Sequence, residues 1–269
     1  MSLPRFILLA CFPIKIQQHP SPPILKKPLN RQNQENPSPQ ITKKGHKSPL
    51  NYAIKSLLLG LIACIYNYKE YVHPKVMLLI YCFYIYLSLD MGLAMFAALA
   101  RAFLRLELEP QFDDPYLSTS LQDFWGRRWN LMVSSILRPT VYDPVRSFSS
   151  RLIGRKWAIA TGILATFMVS GLMHELILFY FKPEKPTWEI TCFFLLHGVC
   201  LVVETSLRKA FKGKFWLPPV VSRPLAVAFL VITSTWLFFP PLLSTDIDIR
   251  LRKESIALIE FVKDVRNRL

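Results

Sequence analysis

The stretch WAIATGILATFMVSGLMHELILFYF, residues 157–181, decides the fold class. It contains no lysine or arginine, and only His174 and Glu175 are titratable at neutral pH. A helix that crosses the hydrocarbon core of a bilayer needs about 20 such residues. Four further apolar runs accompany it, Tyr52–Tyr66, Val76–Ala100, Trp188–Val203 and Leu225–Leu243. The 269-residue chain is 52% hydrophobic, above the roughly 45–50% of an ordinary soluble domain, and the excess is gathered in these runs. The expected fold is therefore all-α: one polytopic transmembrane helical domain over residues 50–243, with four to five spans. The 52–66 run is short and contains Lys55, whose ammonium is expected to snorkel to the interface.

The chain carries a formal charge of +15, but its cations flank the spans rather than form a nucleic-acid-binding patch. With five spans, the loops 19–51, 101–156 and 204–224 share one side and hold 20 Lys/Arg, against 10 on the other side. The positive-inside rule places the 101–156 loop in the cytosol. Anionic lipid, or the phosphates of a coenzyme, accounts for the charge without nucleic acid. The five cysteines, Cys11, Cys64, Cys82, Cys192 and Cys200, lie in or beside apolar runs and read as small hydrophobes, with no metal-type pairing. Residues 1–49 read as an N-terminal remnant and a Pro-rich polar loop, and residues 244–269 as a charged tail with a surface helix over Ile256–Val265.

The loop 101–156 is long for a connection between spans, which suits a cytosolic or re-entrant active-site segment. Its centre reads Ser120-Leu121-Gln122-Asp123-Phe124-Trp125-Gly126-Arg127-Arg128-Trp129-Asn130. Ser120 and Asp123 have the spacing of a capping box, so a short helix is predicted to open here. In a regular helix Asp123, Arg127 and Asn130 share one face, and Trp125, Trp129 and Met132 another. That pattern predicts an interfacial helix with its aromatic residues in the lipid boundary.

The Phe-Trp-x-Arg-Arg-Trp-Asn motif ending at Asn130, followed by Ser170-Gly171-Leu172-Met173-His174-Glu175-Leu176, resembles the membrane-bound O-acyltransferase superfamily. The segments from Pro110 to Trp125 and from Arg138 to Arg146 are similar to its plant wax synthase branch, the long-chain-alcohol O-fatty-acyltransferases. The resemblance runs from about Leu3 to about Pro241. Members of that branch have several spans ahead of the segment resembling Leu3–Ile16, so Met1 reads as an internal start or a truncated gene product. The resemblance implies an endoplasmic reticulum enzyme that moves a long-chain acyl group from acyl-CoA to a fatty alcohol or a sterol, with no metal and no bound cofactor.

His174 and Asn130 are the catalytic residues that the resemblance implies. An ionisable group at membrane depth marks function or is held by a hydrogen bond to a neighbouring helix. His174 would act as general base, and Asn130 would orient or polarise the thioester carbonyl; its alternative is a cap. Arg127 and Arg128 are candidates to bind coenzyme phosphates, or else interfacial anchors. Trp125 and Trp129 are candidate substrate contacts, although packing or interface roles suit them as well. Glu175 is expected either in catalysis or in an ion pair with Arg127 or Arg128. Asp90 and His197 read as structural hydrogen-bonding groups.

No Gly-x-Ser-x-Gly elbow and no phosphate-cradling glycine loop is present in the sequence. Without an activated nucleophile, transfer is expected to be direct, within a ternary complex. The rival readings are an inactive truncated paralogue and a non-enzymatic proton or ion path through His174, Asp90 and His197. Sidedness is testable. Single cysteines replacing Lys44 and Lys212 should be labelled from the cytosolic face of sealed vesicles, whereas protection of both until detergent is added would invert the topology.

Overall fold

The computed structural model describes residues 49–66, 68–104, 111–211 and 217–244, and every assigned element among them is helical. The Pro-rich loop before Pro49, Cys11 and the tail after Ser244 lie outside the described residues. Four helical segments are long and apolar enough to cross a membrane: Pro74–Ala102, Arg155–Phe181, Glu189–Ala210 and Pro219–Leu243. Leu50–Tyr66 is a shorter apolar helix. The chain divides into two compact units, Met1–Tyr68 with Tyr86–Glu109, and Lys69–Ile85 with Pro110–Leu269.

In the first unit, helix α1 (Pro49–Tyr66) meets the later part of α2 (Pro74–Leu104). Lys55 does not snorkel. Its ammonium is buried, donates to Asp90 Oδ2 and lies 3.4 Å from the Tyr86 hydroxyl. An ammonium on so short an apolar helix is stabilised more by a carboxylate on the neighbouring helix than by stretching to either end. The pair also accounts for the acid within α2, as the structural reading of Asp90 expects.

The second unit is built on α6 (Arg155–Phe181), α7 (Glu189–Ala210) and α8 (Pro219–Thr233). Helices α6 and α7 approach closely where they carry small residues. A Cβ at Gly171 would lie 2.9 Å from Thr191 Cα, and one at Gly198 would lie 3.1 Å from Phe167 Cβ. Small residues are how helices pack in lipid, where apolar side chains gain little by leaving the solvent. The packed core is Phe167, Ile190, Phe193, Phe194 and Leu201. On the same helices Leu176, Tyr180, Val203, Leu225 and Ile232 are exposed, an outer surface fit for acyl chains.

Helix α7 runs past the apolar limit at Val203 because polar residues continue it. Thr205 and Ser206 donate to the carbonyls of Leu201 and Val202, and Glu204 pairs with Arg208 one turn on. Beyond α8 the last span turns through a π-helical stretch (Ser234–Phe238) into α9 (Phe239–Leu243).

The long loop before α6 is helical in pieces: α3 (Leu121–Asp123), a π-helical turn (Phe124–Arg128), α4 (Leu131–Leu137), a second π-helical turn (Arg138–Tyr142) and α5 (Asp143–Leu152).

The ion pair of the first unit gives a stability test. Lys55→Ala or Asp90→Ala leaves one buried charge without its partner, a loss of about 3–5 kcal/mol. Each single variant should lower the thermal midpoint of detergent-purified protein, while Lys55→Leu/Asp90→Leu should recover most of it. Single variants with unaltered midpoints would show that the pair contributes nothing.

Candidate active site

The loop closes on itself before it meets the spans. Ser120 Oγ accepts from Asp123 N at 3.0 Å, so the expected cap is present. Asp123 in turn accepts from Thr119 N and from Arg128 Nε, and the Arg128 guanidinium also donates to the carbonyls of Asp113 and Asp114. Gln111 receives Leu131 N on its carbonyl and Met132 N on its side chain. Arg128 thus knits the start of the loop to its centre.

The predicted single interfacial face does not form. Trp129 N bonds to Phe124 O, five residues back, so the turn is π-helical and Asp123 meets Arg128 rather than Arg127. The chain then breaks at Trp129 and reverses at Asn130. Trp125 is carried inward, where its ring packs against Phe167, Phe193, Phe194 and His197, with centroids 5.5–6.4 Å apart. It lines the bundle rather than the lipid boundary. Trp129 stays within the loop, stacked on Phe124 and edge-on to the buried Phe112. Arg127 is exposed and meets no partner among the described residues.

Asn130 takes a left-handed conformation, φ 42° and ψ 64°, which asparagine tolerates better than most residues. It caps α4: the amide oxygen Oδ1 accepts from Val133 N at 3.2 Å. The amide Nδ2 keeps both its hydrogens free of any partner among the described residues. Capping and polarising a carbonyl are therefore compatible roles, since they use opposite ends of one amide. Ser134, one turn into α4, donates its hydroxyl to Trp125 O at 3.2 Å and so ties the Asn130 helix to the inward-facing tryptophan.

His174 donates Nδ1–H to Ser170 O at 2.7 Å, because a carbonyl can only accept. This bond selects the tautomer whose Nε2 carries a lone pair. Nε2 has no partner among the described residues. The ring lies on Phe194, centroids 4.6 Å apart, and near Phe238 at 5.9 Å. The half-buried imidazole has exposed Met173 and Ile177 beside it, so it stands where the packed core meets an exposed apolar surface. Phe194 touches both His174 and Trp125, which joins the loop to the histidine through one ring.

Glu175 makes no ion pair with Arg127 or Arg128 in the structure. It is buried and accepts from Thr191 N at 3.2 Å, with the Thr191 hydroxyl at 3.4 Å, so it fixes the start of α7 to α6 beside Gly171. His197 is completely buried and uses both nitrogens, Nδ1–H to Phe193 O and Nε2 to the Thr233 hydroxyl. The structural reading of His197 holds. Sequence reasoning overlooked Thr233 and Glu204. Both are polar residues on apolar helices, but nothing in the order of residues says which neighbour they meet. No cluster of three or more potential metal ligands occurs among the described residues.

A sequence profile of the Membrane bound O-acyl transferase family matches residues 108–196, the stretch that contains both Asn130 and His174. The chain is 43% identical over 265 residues to the "Probable long-chain-alcohol O-fatty-acyltransferase 3" of Arabidopsis thaliana, covering 97% of this chain and 71% of that protein. The chain belongs to the membrane-bound O-acyltransferase family. It is also 40% identical over 263 residues to the "Long-chain-alcohol O-fatty-acyltransferase" of Simmondsia chinensis, covering 98% and 72% of the two chains. Identity to the "Acyl-CoA--sterol O-acyltransferase 1" of Arabidopsis thaliana is 41% over 269 residues, 100% of this chain and 74% of that one. Within the matched stretch, His174 Nε2 and Asn130 Nδ2 have no partner among the described residues.

Proposed function

We propose that the chain esterifies a long-chain alcohol with the acyl group of acyl-CoA, within the endoplasmic reticulum membrane, to give a wax ester. The observation that carries the reading is the His174 imidazole, held by Ser170 O as the tautomer with a free Nε2 at the edge between core and exposed apolar surface. A long-chain alcohol partitions into the bilayer, and its hydroxyl meets such a group without leaving lipid.

In this mechanism the alcohol oxygen attacks the thioester carbonyl carbon as His174 Nε2 takes its proton. Negative charge collects on the carbonyl oxygen, where the free Nδ2–H of Asn130 donates. One well-placed donor of this kind contributes about 3–4 kcal/mol to the transition state. The C–S bond then breaks, the ester leaves into the membrane, and the thiolate recovers the proton from His174. Neither a covalent acyl-protein intermediate nor a metal is required for this sequence.

Arg127 is the guanidinium assigned to the coenzyme phosphates, since it is exposed and unpaired among the described residues. Arg128 serves binding indirectly, by holding the loop to Asp123. Trp125 forms the apolar wall between Phe194 and His197, against which an acyl chain can lie, and Trp129 braces the loop from behind.

A sterol acceptor is the second reading, favoured by similarity to the sterol O-acyltransferase over the full chain. An ion path gains no support, because Asp90 and His197 each have local partners.

His174→Ala should reduce ester synthesis by about 10²–10⁴-fold, the usual contribution of a general base, without changing protein abundance. Membranes carrying the chain, given labelled acyl-CoA with a panel of alcohols and sterols, measure both the loss and the acceptor. Near-normal turnover by the variant would remove His174 from catalysis.

A further inference from the structure

Glu204 lies in the polar last part of α7 and faces two ways. Its Oε2 accepts from the backbone N–H of Leu121 at 2.9 Å, across 83 residues of sequence. Its Oε1 stands 3.0 Å from the Arg208 guanidinium, one turn further along the same helix. Leu121 is the first residue of α3, so its N–H has no acceptor within its own helix. A carboxylate from α7 supplies that acceptor, and Arg208 lies within ion-pair distance of its other oxygen.

The segment then runs down α7 from this anchor. Leu121 sits level with Glu204, and Trp125, one turn on, reaches His197, Phe194 and Phe193. At 1.5 Å per residue, His197 lies about 10 Å along α7 from Glu204. The π-helical turn follows, and Asn130 enters α4 with Ser134 bonded back to Trp125 O. The aromatic contacts of Trp125 are non-directional and would allow the segment to slide along α7. The Glu204–Leu121 bond is directional, and it sets the depth to which the segment descends.

We propose that Glu204 is a positioning residue for acyl transfer: by gripping Leu121 N–H it sets the Asn130 amide against the His174 imidazole. The inference rests on the role proposed above for Asn130. A shift of about 1 Å in such a constellation can cost 10²-fold in rate, although the group responsible touches no substrate.

The test uses the full chain in membranes with acyl-CoA and a long-chain alcohol, and four variants: Glu204→Ala, Glu204→Gln, Asn130→Ala and the Glu204→Ala/Asn130→Ala double. Glu204→Ala should lower kcat by about 10- to 100-fold while KM for acyl-CoA stays within about twofold. Glu204→Gln keeps an oxygen acceptor at the same reach and should restore kcat to within about threefold of the parent. On the Asn130→Ala background, Glu204→Ala should add less than about twofold, because the two act through one interaction. Amide hydrogen exchange should quicken over residues 121–130 in Glu204→Ala and stay unchanged over α6. Independent losses that multiply, an effect on KM alone, or a Gln variant no better than Ala would each overturn the proposal. Full activity in Asn130→Ala would instead refute the reading beneath it, and the inference with it. Because Asn130→Ala is measured alone, the two failures are told apart.

Discussion

In hydrocarbon no water is available to complete a hydrogen bond, so polar groups inside the bilayer must find their partners within the protein. Most of the polar side chains on the apolar helices follow this constraint, while Trp125 Nε1 and Ser222 Oγ are buried without a hydrogen-bond partner among the described residues. Thr166 and Thr205 return their hydroxyl protons to carbonyls four residues back. Glu175 takes the Thr191 N–H in the first turn of α7, and Lys55 with Asp90 neutralise one another. His197 closes both its nitrogens. Against so much internal pairing, the unpartnered Nε2 of His174 and Nδ2 of Asn130 carry weight. Each belongs to a side chain whose other polar atom is fixed, so each is free yet oriented.

His174 and His197 make the point together. Both donate Nδ1–H to the carbonyl one turn back on their own helix, and both pack on phenylalanine rings, His174 on Phe194 and His197 on Phe193. They differ in what meets Nε2. Thr233 occupies that of His197, while that of His174 stays open beside exposed Met173 and Ile177. One histidine therefore holds α7 to α8, and the other is available for chemistry. A hydroxyl on a neighbouring helix, not the local sequence, separates the two roles.

The spans were legible because lipid imposes length and composition on any helix that crosses it, and the runs 76–100, 157–181 and 225–243 meet that demand directly. The Ser120 cap was legible too, since it is local. What escaped the sequence depends on partners distant in the chain. Lys55 looks like a snorkelling residue until Asp90 is placed opposite. The loop pattern of Asp123, Arg127 and Asn130 assumes 3.6 residues per turn, and the π-helical turn at Phe124–Arg128 cancels it, sending Trp125 into the bundle. The cap offered by the sequence as the alternative role of Asn130 is present, whereas the left-handed backbone it adopts there appears only in three dimensions.

The central claim is that the loop and α6 bring one donor and one base to the same reacting centre. The most direct measurement is an experimental structure of the chain in lipid, bound to an acyl-CoA ketone analogue with methylene in place of sulfur, and to a long-chain alcohol. The account predicts Asn130 Nδ2 at about 3 Å from the ketone oxygen, and His174 Nε2 at about 3 Å from the alcohol oxygen. An analogue bound with the Asn130 amide and the His174 imidazole facing opposite surfaces would contradict it.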